Sequence, residues 1–101
     1  MNIVGPKHPA EIKRLRFPFA LELDTGTSLS ALAASVTVAA GTDASPAALL
    51  LGLPTAVGTE VLQLIQGGLH GVEYQIDMQA TDNTGLRHVR QCRLRITNQL
   101  G

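Results

Sequence analysis

Three histidines (His8, His70 and His88) and one thiol, Cys92, are the side chains of this sequence best suited to hold a metal or act as a nucleophile. A structural or catalytic metal needs three or four convergent ligands. These four residues fall on an arm, a turn, a strand start and a strand face, with no ligand spacing among them. Cys92 alternates with polar neighbours and is expected to pack as a small apolar residue. Glu73 and Asp77 could be an acid–base pair, yet a period of two spreads them along one exposed strand. There is no Gly-x-Ser-x-Gly elbow, and Gly67-Gly68-Leu69-His70-Gly71 leads into an acid and a strand, not into a phosphate-binding helix. The residues therefore predict no catalytic group, no cofactor and no metal.

A chain of 101 residues with 45% apolar and 16% charged side chains is expected to form one globular domain. Lys plus Arg and Asp plus Glu each number 8, so the net charge is zero and the whole-chain argument for nucleic acid or an anionic membrane is gone. One cysteine excludes an internal disulfide, and residues 1–13 lack the pattern of a secretory leader. No apolar run approaches the roughly 20 residues of a membrane helix. Phe17, Phe19 and Tyr74 are the only aromatics, which argues against a base- or sugar-stacking platform.

The charge is balanced in sum and not in position. Lys7, Lys13, Arg14 and Arg16 stand at the start, and Arg87, Arg90, Arg93 and Arg95 at the end, with acids and no base between Phe17 and Leu86. Basic strands could lie beside acidic ones and pair within the fold. The same pattern could instead give a dipolar surface that docks onto copies of itself or onto a neighbour.

Elements can be read from periodicity. Residues 1–13, with Gly5, Pro6 and Pro9, read as an extended arm, dispensable for folding and ordered on assembly. Leu15, Phe17, Phe19, Leu21 and Leu23 alternate with polar or small residues, which predicts a strand; Pro18 puts it at a sheet edge. Asp24-Thr25-Gly26-Thr27 reads as a turn. Leu29–Ala40 is alanine-rich, but Ser35-Val36-Thr37-Val38 favours a strand over a helix. Residues 44–53 fit a strand or a helical turn equally well, and Pro54–Gly58 reads as a loop. Glu60–Gln66 predicts a strand, and Gly67–Gly71 a tight turn.

The clearest prediction is the last hairpin. A three-residue loop Asn83-Thr84-Gly85 puts glycine where a left-handed residue is needed. That register pairs Tyr74 with Leu94 and Ile76 with Cys92 inside, and sets Glu73 opposite Arg95 and Gln75 opposite Arg93 outside. Val89 falls on the outer face and predicts a bulge or an exposed contact. Six or seven strands with frequent turns predict an all-β fold, an immunoglobulin-like antiparallel β-sandwich over residues 14–98, preceded by the arm 1–13 and followed by a short tail 99–101.

One stretch carries a resemblance. Val61 to Ile76, with Gly67-Gly68, Gly71 and Tyr74, resembles the GG-x-x-G-x-x-Y signature of small bacteriophage structural proteins. Lys7-His8-Pro9-Ala10-Glu11 resembles the K-D-P-D-x lead-in of the same family, and Asp24 to Leu29 its x-x-G-E-T-I turn. The family is the bacteriophage fiber-tail adaptor family; the tryptophans usual in its early strands are absent, and His8 replaces a common acid. The resemblance implies a non-enzymatic virion protein of the neck or tail, assembled in the bacterial host cytoplasm. It would bridge portal, connector or tail tube to tail fibers as a symmetric ring of copies, with no nucleic acid or membrane partner. A capsid decoration protein and a host-surface or carbohydrate-binding module are the alternatives. On this reading the candidate assembly contacts are Lys7, Pro9, Ile12, Lys13 and Arg14 near the arm, and Arg87, Val89, Arg93 and Arg95 on the closing strand.

Overall fold

The computed structural model describes residues 2–19 and 28–99. Within them the chain forms strands β1 (Asn2–Lys7), β2 (Lys13–Pro18), β3 (Leu29–Ala40), β4 (Leu50–Val57), β5 (Glu60–Ile65), β6 (Glu73–Asp82) and β7 (Arg87–Ile96). A four-stranded sheet in the order β1-β7-β6-β3 faces a three-stranded sheet in the order β2-β5-β4. The fold is thus the expected all-β two-layer sandwich. All neighbouring strands are antiparallel except β1, which runs parallel to β7.

The core follows from alternation. β6 buries every second residue, Tyr74, Ile76, Met78 and Ala80 among them, against Cys92, Leu94 and Ile96 of β7. Leu15, Phe17, Phe19, Val61 and Ile65 close the core from the other sheet. The hairpin register is the one read from sequence, Tyr74 with Leu94, Ile76 with Cys92, Glu73 with Arg95 and Gln75 with Arg93. Gly85 takes φ +91° in its loop, and Asp82 N–H bonds to Leu86 carbonyl across the three residues.

Several readings are refined. Leu29–Ala40 is strand, not helix. Residues 44–53 contain both alternatives, a single 3-10 turn over Pro46–Leu49 and then the start of β4. Pro54, read as loop, lies inside β4, which is an edge strand whose register with β5 breaks between Leu51 and Thr55. A proline is tolerated there because a bulged edge leaves its missing N–H without consequence. Pro18 also sits on an edge, since β5 is central. The segment read as an arm contributes β1, docked on the chain's own β7. The second half of the first predicted strand, past Phe19, and the turn at Asp24–Thr27 lie outside the described residues.

Candidate interaction surfaces

The two sheets meet differently on their two sides. On one side β3 lies close to β4 and to the 3-10 turn. On the other, β1 and β2 stand apart and leave a cleft of about 350 Å³. Its floor is Leu15, Ile65 and Leu94, and its walls carry Gly5, Pro6, Lys7, Lys13, Arg14 and Arg16. Four of the sequence's basic residues thus converge here, and three of them are exposed. Lys13 is 3.2 Å from Glu11 and Arg16 is 3.2 Å from Glu60, both pairs largely in solvent and so weak. Ile12, 63% exposed, stands at the entry to β2 beside them.

Lys7 is different from its neighbours. It is fully buried, and its ammonium donates to the carbonyls of His8 (3.0 Å) and Gly67 (2.7 Å). Burial lowers its pKa, with Glu11 opposing the shift. Lys7 therefore fastens β1 to the glycine turn, with its ammonium held by two backbone carbonyls. Gly67 belongs to the second half of that joint. Tyr74, also fully buried, accepts from Leu69 N–H (3.1 Å) and donates to Asp43 Oδ2 (2.6 Å). That hydrogen bond, followed by one from Ser45 N–H, holds the Asp43 carboxyl below its ordinary pKa. At Gly68, with φ +96°, a Cβ would lie 2.7 Å from the Ile96 side chain. The lead-in lysine and the GG…Y turn, 60 residues apart, are one structural node.

The remaining candidates divide between two places. Pro9 is half-buried near Lys7, in a turn where Glu11 N–H bonds to His8 carbonyl. Arg87, Val89, Arg93 and Arg95 lie on the outer face of β7, away from the cleft floor. Val89 is 47% exposed opposite Gln79 with no bulge at that pair. The expected ion pairs across the hairpin are not formed. Glu73 faces Arg95 in register, but among the described residues neither closes an ion pair, and Asp77 accepts instead from Gln75 Nε2 at 3.1 Å. Long exposed side chains gain too little from such a pair to be held in one rotamer.

Two polar groups were missed in the sequence. Asp82 is buried at the end of β6 and accepts from Thr84 N–H (2.9 Å), Thr84 hydroxyl (2.6 Å) and Leu86 N–H (3.0 Å), with His88 Nε2 2.9 Å from its other oxygen. The Asp-x-Thr spacing of an Asx turn is the signal that could have found it. Gln63 is 1% exposed on the inner face of β5, and its amide donates to the carbonyls of Leu51, Gly52 and Leu64. It replaces the ladder where β4 bulges out and so holds Leu53, 89% exposed, away from the sheet. Among the described residues no cluster of His, Cys, Asp or Glu could hold a metal ion.

A family model described as podophage GP4 fiber-tail adaptor protein gp77 matches residues 7–95. Neither a curated protein nor a solved structure matches the chain. The matched segment begins at Lys7 and ends within β7, so it contains the whole Lys7–Gly67–Tyr74 node.

Proposed function

The chain belongs to the podophage fiber-tail adaptor family, and from that premise we propose that it is a structural protein of the virion tail that joins tail or connector components to fibers. On this reading several copies stand in a symmetric ring at the neck or tail, assembled in the bacterial host cytoplasm, and none catalyses a reaction. The observation that carries the reading is the family match from the lead-in lysine to β7, with two motifs of the resemblance, the lead-in lysine and the glycine turn, joined in space by the Lys7–Gly67 hydrogen bond. What remains for partners is surface. The side with Ile12, Lys13 and Arg14 offers two strand edges unpaired among the described residues and a basic rim over an apolar floor, which suits main-chain pairing with an extended segment.

Quantitative mass spectrometry of purified particles tests the reading, with this chain scaled against the portal and major capsid proteins. A copy number near that of the portal is expected. Absence from intact particles would overturn it, and a number comparable to the capsid protein would favour decoration of the shell. A second measurement separates docking from folding. Ile12→Asp with Arg14→Glu should leave the melting temperature within about 2 °C, as surface changes usually do, yet abolish incorporation into particles.

A further inference from the structure

β3 is a long edge strand that its own sequence does not blunt. It runs for 12 residues, Leu29–Ala40, with no charged side chain and no proline. Among the described residues its ladder hydrogen bonds go to β6 alone, and β4 and the 3-10 turn lie close to it without pairing with it. Soluble proteins normally guard such an edge with lysines, prolines, bulges or short length, because an open ladder recruits another strand. Here the register shifts only near the ends, between Leu29 and Ala31 and between Val38 and Ala40. The neighbouring edge strand of the other sheet, β4, is also uncharged and leaves Leu53 and Val57 exposed. The opposite side of the sandwich, with Lys13, Arg14 and Arg16, is basic and would repel itself.

We propose that β3 is the contact between two copies of this chain, paired antiparallel about a two-fold axis at Ser35 so that the four-stranded sheets join into one. The sequence of β3 selects both the partner and the register. Leu32, Ala34, Val36 and Val38 point inward, while Ala31, Ala33, Ser35, Thr37 and Ala39 are exposed on the outer face. Residues opposite each other in an antiparallel pair share a face, so only a register that keeps this parity is compatible with the core. Centring on Ser35 or on Ala34 keeps it with equal overlap, but the Ala34 centre would set Val38 against Ser30, so the apolar match selects Ser35. Leu32 then meets Val38 of the second copy, and Ala34 meets Val36, each a larger residue against a smaller one. Leu32, Ala34 and Val38 are only half-buried in the single chain, and the pairing covers them. Identical edges meet without like charges, and a two-fold contact is complementary to itself by symmetry. The contact does not depend on the adaptor reading; it makes two-copy units whether or not these are arrayed on a ring.

Sedimentation equilibrium of the purified chain tests this, with two double variants whose folding is checked by circular dichroism. Ala33→Lys with Thr37→Lys sets lysine opposite lysine twice across the axis. In the single chain these positions are exposed beside Gln79 and Gln75 and diagonal to Asp77, so the variant should fold. Ala33→Glu with Thr37→Lys sets opposite charges at the same two places. The wild type should be a dimer, the lysine variant should weaken it by about tenfold or more, and the Glu/Lys variant should restore it. A wild type still monomeric at about 1 mM would overturn the proposal and leave the edge to a strand from another protein. A dimer indifferent to the lysines would place the contact elsewhere, and failure of the Glu/Lys variant to restore it would overturn the register.

Discussion

Asp82 shows how one carboxylate can organise a hairpin. The Thr84 hydroxyl first, then His88, then the backbone N–H groups of Thr84 and Leu86 stabilise its charged form and hold its pKa well below the usual carboxylate range, against the opposing effect of burial. A group whose folded pKa is depressed adds stability above its unfolded pKa, near 4 for aspartate, and that stability fades as pH falls toward the folded value. Asp82→Asn keeps the shape and removes the titration. The variant is expected to melt several degrees below the wild type at pH 7, with the gap narrowing steadily between about pH 4 and pH 2. Thermal melts of both proteins across that range check it; a constant gap would show that the lost acceptor oxygen, not the charge, matters at this position. In the sequence Asp82 was one acid among several, because its role depends on His88 returning beside it from the next strand. The burial of Lys7 was illegible for a related reason: it is decided by the Gly67 carbonyl, far along the chain, and residue type alone marks a lysine as exposed.

Elements were legible where the information was local. β6 and β7 could be paired residue by residue because alternation, a short glycine loop and adjacency in sequence all act within a single hairpin. β1 was not legible as a strand, since its partner β7 lies at the other end of the chain, the pairing is parallel, and Gly5-Pro6 interrupts any alternation. β4 was hidden by Pro54, whose place in a strand is licensed only by the bulge and by Gln63 filling the gap in the ladder. The cleft could not be foreseen either, because it depends on β1 and β2 coming to one side of the sandwich. β1 now carries a prediction of its own. Removing residues 1–7 strips a strand from β7, uncovers Leu94 and deletes the Lys7 bonds, so it should cost about 2–4 kcal/mol. Lys7→Met keeps the stem and removes the donor, and should account for about 1–3 kcal/mol of that loss. Urea unfolding of the three proteins measures both; a truncated chain as stable as the full one would mean that β1 contributes nothing to the folded domain.

At the scale of the molecule the question is whether so lightly built a sandwich opens as one unit. Its core has three aromatic side chains, and the four-stranded sheet is held at one edge by the short parallel strand β1. Cys92 is placed to report on this, at 4% exposure in β7, opposite Ile76 of β6 on one flank and Asn2 of β1 on the other. Burial, with a smaller contribution from the Asp77 charge, pushes its thiol up to about 11. That raised pKa alone should slow reaction with a thiol reagent at pH 8 by about a hundredfold, since the thiolate is the reacting species. Further protection must come from the free energy of opening. If both sheets unfold together, labelling is expected to be at least about a thousandfold slower than for a free cysteine. Its rate should then rise with denaturant along the same slope as the global unfolding transition followed by circular dichroism. Labelling that is fast in buffer and flat in denaturant would instead mean that β1 peels from β7 in the folded chain. The parallel edge would then be the mobile part of the molecule, while β6, β7 and the Lys7-independent half of the node, Tyr74 with Asp43, would persist beneath it.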